Sequence, residues 1–190
     1  MERYDYGFRY GNGGFTLLEL LVGLAAGVLV LTLAVPAMLD FYRHNLRASS
    51  VNRLVSSLHL ARSEAVNRTQ KITLCPSSDG VQCDSSLEWQ DGWMIFANTD
   101  SETGTRTDGE PIIRVQSPVG DGIRLVNGSN RRYLVYQPSG TATGFSSKFL
   151  ACDPDGDADP VGIWLSNTGR IAKVESFSAE DAAACTPQDG

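Results

Sequence analysis

The stretch Gly14-Phe15-Thr16-Leu17-Leu18-Glu19-Leu20, continued as LVGLAAGVLVLTLAVPAML to Leu39, decides how the rest of the chain is read. Between Phe15 and Leu39 the only charged residue is Glu19. The run is long enough for a helix to cross a hydrocarbon core, which takes about 20 apolar residues. A secretory signal peptide places its apolar region before the cleavage site. Here Gly13-Gly14 comes first, so cutting after Gly14 would leave the apolar run on the mature chain. A carboxylate within such a segment is costly unless it is paired, which marks Glu19 as a functional candidate. Pro36 removes a backbone donor inside the run and is expected to kink or loosen the helix.

Outward from this segment the chain is polar. It has 190 residues, a formal charge of −6 and a pI near 4.9. That length supports one ordinary domain beside the apolar segment. The acidic balance argues against a broadly basic surface built to hold nucleic acid. Beyond Asp40 the helical pattern continues to residue 69, with Val51, Leu54, Val55, Leu58, Ala61 and Ala65 on one face. Arg43, Arg47, Arg53, Arg62 and Arg68 fall mostly off that face, and His44 and His59 read as ordinary surface or core residues.

After Lys71 the text changes to short β-branched and aromatic runs separated by Gly, Pro, Asn and Asp. Candidate strands are Lys71–Cys75, Gly92–Ala97, Ile112–Gln116, Ile123–Asn127, Tyr133–Gln137, Phe149–Cys152, Gly162–Ser166 and Ile171–Glu175. Asn127-Gly128 and Asn167-Thr168-Gly169 read as hairpin turns. There is no βαβ alternation, so the fold class is α+β, a long helix packed on a mainly antiparallel sheet domain. The segment Asn98 to Glu110 reads as an exposed hairpin connection. No hydrolase elbow, phosphate loop or histidine ligand set is present, and no enzyme is expected. Asp153, Asp155, Asp157 and Asp159 alternate around Gly156, an oxygen-rich run of the kind calcium uses, though without EF-hand spacing. A solvated acidic loop is the competing reading. No cofactor is expected, with calcium at this run the one candidate.

The residues Gly14 to Leu20 resemble the prepilin leader of type IV pilins and type II secretion pseudopilins. Leu74-Cys75-Pro76-Ser77, Cys83, Trp89-Gln90-Asp91-Gly92-Trp93-Met94-Ile95-Phe96 and Glu110-Pro111-Ile112-Ile113-Arg114 resemble the GspH/FimT-type minor pilins and pseudopilins. The resemblance implies a type IV pilin-like fold: a leader at 1–14, a transmembrane and filament-core helix at 15–39, its amphipathic continuation at 40–69, and a periplasmic β-rich head at 70–190. It further implies cleavage after Gly14 by prepilin peptidase, N-methylation of Phe15, and pairing of Glu19 with a neighbouring subunit's amino terminus. Pro36 would sit where pilin helices extend. Expected partners are other major and minor pilins or pseudopilins, the peptidase, an inner-membrane assembly platform and membrane lipid. The expected place is the bacterial inner membrane, single-pass with the head in the periplasm, and then the filament.

In that oxidising compartment the four cysteines, Cys75, Cys83, Cys152 and Cys185, are expected as disulfides. Three connectivities exist, of which Cys75–Cys83 with Cys152–Cys185 is the one expected. Some FimT-type relatives bind DNA through a G-R-x-R turn. The matching text here is Gly169-Arg170-Ile171-Ala172-Lys173, with Ala172 where the second arginine would stand. DNA contact would therefore draw on Arg170, Lys173, Arg131 and Arg132. The resulting expectation is a minor pilin of a type IV pilus, with a type II secretion pseudopilin and a DNA-binding minor pilin as alternatives.

Overall fold

The computed structural model of the chain describes residues 14–99, 104–120, 122–153 and 159–186. The chain divides into two compact units, one up to Phe41 and one from Tyr42 onward, and the boundary falls within the first helix, α1 (Leu17–Arg68).

In the first unit Thr16 begins the helix. Its hydroxyl oxygen accepts from the Glu19 amide at 3.2 Å, and its carbonyl from the Leu20 amide at 3.1 Å. A threonine cap of this kind satisfies amides that the first helical turn would otherwise leave unpaired. The apolar side chains that follow are exposed: Leu17 is 78% exposed and Leu33 76%. The segment is long and apolar enough to cross a membrane. Pro36 lies inside α1, and the helix continues on both sides of it.

The second unit holds the rest of α1, eight strands among the described residues, and a short helix α2 (Ala179–Cys185). Every expected strand is present: β1 (Lys71–Pro76), β2 (Trp93–Asn98), β3 (Ile112–Gln116), β4 (Arg124–Asn127), β5 (Leu134–Tyr136), β6 (Ser147–Cys152), β7 (Val161–Leu165) and β8 (Ile171–Lys173). They form two antiparallel sheets, β3-β2-β1-β5 (sheet A) and β4-β6-β7-β8 (sheet B). Between them lies one core. Leu54, Leu58, Ala61 and Ala65 of α1 pack with Ile72, Trp93 and Ile95 of sheet A and with Phe149, Ile163 and Leu165 of sheet B. The alternation of inward and outward side chains along each strand makes this possible.

Trp89, in a 3₁₀ turn at Trp89–Asp91, joins the two sheets. Its ring meets Phe149 edge-on at 5.3 Å, and its indole nitrogen donates to the Arg131 carbonyl at 2.9 Å. The neighbouring Gln90 side-chain oxygen accepts from the Leu125 amide at 3.1 Å. A fully buried aromatic with its polar end satisfied is a strong anchor.

One reading of the sequence needs correction. Asn127-Gly128 is not a hairpin turn: β4 pairs with β6, whereas β5 pairs with β1. The Asn127 side-chain oxygen accepts from the Ser129 amide and the Ser147 hydroxyl, so the pair reverses the chain and hands it from sheet B to sheet A. An Asn-Gly pair specifies a reversal, while the partner is chosen by which faces can be buried. The segment Asn98 to Glu110 connects the antiparallel pair β2 and β3, as a hairpin connection should. At its base Glu110 is buried, and its carboxylate oxygens accept from the Thr99 amide at 2.6 Å and the Thr107 amide at 2.9 Å. Asn167-Thr168-Gly169 likewise turns a hairpin, between β7 and β8.

Candidate functional site

At the helix start, Gly14 and Phe15 precede α1. Among the described residues, none beyond its chain neighbours comes within 4 Å of where a Gly14 Cβ would stand, and Phe15 is 82% exposed. Glu19 occupies the first turn of α1, where the positive end of the helix dipole favours a carboxylate. The leader before Gly14 lies outside the described residues.

The structure joins Cys75 to Cys83 and Cys152 to Cys185, with Cα separations of 5.5 and 5.3 Å. The first closes the loop after β1 over the outer face of sheet A, where Cys75, Met94 and Phe96 form a second buried cluster. Within that loop the Asp79 carboxylate accepts from the Val81 and Gln82 amides, which hold its pKa below the ordinary value. The second disulfide fixes α2 over the outer face of sheet B, against Leu150 and Phe177. The sequence analysis named no helix in this region. The available signal was Ser178-x-x-Asp181, a reciprocal capping box ahead of an alanine run. Burial pushes the Asp181 carboxyl up, but the Lys148 ammonium at 2.7 Å and the Ser178 amide and hydroxyl outweigh it and hold the pKa low.

The Cys152–Cys185 bridge spans 33 residues. By loop-closure entropy it contributes about 3–4 kcal/mol. Replacing both cysteines with serine is expected to lower the unfolding temperature by about 6–15 °C. Intact-mass analysis of the oxidised wild-type chain should show no labelled thiol.

The acidic run does not present four equivalent ligands. Asp153 is buried and ion-paired with Arg47 of α1 at 2.6 Å, so a calcium site using it would have to break that pair. Asp159 is exposed, and Asp155 and Asp157 lie outside the described residues. Arg47, placed off the apolar face by the helical pattern, is 4% exposed.

The basic candidates are dispersed. In the β7–β8 register Trp164 stands opposite Ala172 and Ile163 opposite Lys173. Side chains alternate along a strand, so Arg170 and Ala172 share the outer face while Lys173 faces the α1 side. Arg132 pairs with Glu88 at 2.7 Å, and Arg131 lies over the Phe145 ring at 5.3 Å. Arg170 and Lys173 are exposed but do not form one patch.

Gly169 has a structural role in this turn. Its φ is +75°, and a Cβ there would stand 2.2 Å from the Gly140 carbonyl oxygen. Arg62 of α1 donates to the Gly169 and Thr168 carbonyls at 3.1 and 3.4 Å. Gly169→Ala combines a left-handed backbone with overpacking and is expected to cost about 2–4 kcal/mol. That is an unfolding temperature lower by about 5–15 °C. Arg170→Ala, an exposed change, should stay within about 0.5 kcal/mol. Equal thermal stability of the two variants would refute this account of the turn.

Known proteins carry the same arrangement. A search of the curated proteins finds no match. Among solved structures, the type IV minor pilin FimU of Pseudomonas aeruginosa (strain PAO1) is similar with a TM-score of 0.55 at 22% identity, covering 70% of this chain and 92% of that one. A second crystal form of FimU gives 0.50 at 22%, covering 67% and 91%. The minor pseudopilin EpsH from the Type 2 Secretion System of Vibrio cholerae gives 0.47 at 14%, covering 67% and 94%. The long N-terminal helix followed by antiparallel sheets is the type IV pilin fold. The family model of the type II transport protein GspH matches residues 50–169, from the buried face of α1 through both sheets to the glycine of the β7–β8 turn. With more than half of its length matched, the chain belongs to the GspH family of pilin-like proteins.

Proposed function

We propose that this chain is a minor pilin, a structural subunit that joins a type IV pilus or its tip complex after cleavage between Gly14 and Phe15. The observation that carries this reading is the exposed apolar half of α1, which bears a single carboxylate, Glu19, one turn after the Gly14-Phe15 pair. A helix of this kind needs lipid before assembly and neighbouring helices afterwards. Its expected partners are other major and minor pilins, the prepilin peptidase that removes the leader, and an inner-membrane platform. The head, with two disulfides, suits the periplasm.

A clean deletion tests the reading. Sheared surface pili are expected to fall sharply and to return on complementation. Normal piliation in the deletion strain overturns it. The match to the GspH family favours a second reading, a type II secretion pseudopilin. In that case the same deletion would spare pili and block protein secretion. DNA binding has less support, because Arg170 and Lys173 lie on opposite faces of sheet B.

A further inference from the structure

Within the second unit, sheet B stops short of covering the helix it packs on. A groove of about 960 Å³ remains between α1 and β8, lined by Ala48, Asn52 and Val55 on the helix side and by Ile163, Ile171 and Lys173 on the sheet side. That volume is at the upper end of the range for ligand-binding clefts, about 300–1,000 Å³. The wall of the groove is a free strand edge. The Ser166 amide donates to the Arg170 carbonyl and the Val174 amide to the Gly162 carbonyl. In an antiparallel pair the bonded positions alternate, so the N–H and C=O groups of Ile171 and Lys173 point away from β7. Among the described residues β8 has no second partner strand. An apolar floor beside unpaired backbone groups is what an added strand requires.

The charges around the groove are ordered. Asp159 and Glu175 stand at the end where β7 begins, near His44 and the neutralised Arg47–Asp153 pair. Lys173 lies further toward the β7–β8 turn. His59 is at that end too, one helical turn before the Arg62 that grips the turn. We propose that this groove receives an extended strand from the head of a different pilin-like subunit, which adds to sheet B beside β8. The incoming strand carries apolar side chains at alternate positions over Val55 and Ile171, a basic residue at the Asp159–Glu175 end and an acidic one at the Lys173–His59 end. A second copy of this chain fits less well. Its own edge strands, β3, β4, β5 and β8, carry no acidic residue to set at the Lys173–His59 end. The proposal rests on the chain being a filament subunit.

The test uses the full-length chain in cells, with a photo-crosslinking amino acid at Asn52 in the groove, at Thr143 away from it, or at Val30 in the apolar helix. The expected result is an Asn52 adduct that maps by mass spectrometry to a strand of another subunit's head, with none from Thr143. Lys173→Pro removes an N–H that β7 does not use, so it should leave the head folded and lower the Asn52 adduct by about fivefold or more. Lys173→Ala keeps that N–H and should retain the adduct. If Val30 crosslinks to other subunits while Asn52 gives no adduct, or gives one to a loop, a helix or a second copy of this chain, the strand-addition proposal is overturned and the subunit reading stands. If Val30 also fails to crosslink, the subunit reading itself is overturned. An Asn52 adduct unaffected by Lys173→Pro in a folded head overturns the backbone pairing.

Discussion

Glu19→Gln is expected to cut the amount of this chain in sheared filaments by at least about tenfold, while its level in the membrane stays near wild type. The sign of the change is what makes the test informative. An ionised acid within a bilayer costs about 2.5–3.5 kcal/mol at the centre and less toward the interface. Removing the charge therefore makes residence in lipid easier. The helix start would lose about 0.3–1 kcal/mol of dipole stabilisation, and Thr16 would still cap the Glu19 amide at 3.2 Å. Neither effect predicts a defect in assembly. A defect of tenfold corresponds to about 1.4 kcal/mol of lost interaction, well within what a charge pair with a neighbouring amino terminus supplies in a medium of low dielectric. The head begins at the unit boundary after Phe41 and has its own core, so its thermal unfolding should not change. Filaments with an unaltered content of the Glu19→Gln chain would refute an assembly role for this carboxylate.

The parts of this fold that could be read from the sequence are those set by local pattern. The apolar run after Phe15, the stripe from Val51 to Ala65 and the β-branched runs of β1 and β2 each follow the period of one element and needed no partner to be recognised. What escaped reading depends on distant pairing. Asn127-Gly128 reverses the chain as expected, but β6 lies farther along the sequence than β5 and still wins the pairing with β4. Arg47 and Glu110 look like surface residues because charge usually is. Their burial follows from Asp153 in one case and from two backbone amides in the other. Helix α2 is held down by a disulfide, an ion pair and its cap rather than by an apolar face of its own, so hydrophobic periodicity had little to detect. The opposite facing of Arg170 and Lys173, by contrast, was legible, because the expected strand already began at Ile171 and side chains alternate along it.

Arg47→Ala is expected to lower the stability of the head by about 3–5 kcal/mol, because it leaves the Asp153 carboxylate buried without a partner. Asp153 is 2% exposed and sits directly after Cys152, which is bonded to Cys185, so it cannot move to water without disturbing the end of β6. In unfolding temperature this is a fall of about 6–20 °C for a domain of this size. The double variant Arg47→Met with Asp153→Leu should recover most of the loss, since apolar replacement of both members of a buried pair is often neutral or stabilising. That recovery separates a desolvation cost from a specific need for the charges. The same variants decide the calcium question. If the acidic run held calcium through Asp153, millimolar calcium would raise the unfolding temperature of the wild-type head and the double variant would lose that response. With Asp153 held by Arg47, wild type and the double variant should behave alike in calcium. A single Arg47→Ala variant as stable as wild type would mean that the pair is solvated and that its buried geometry is wrong.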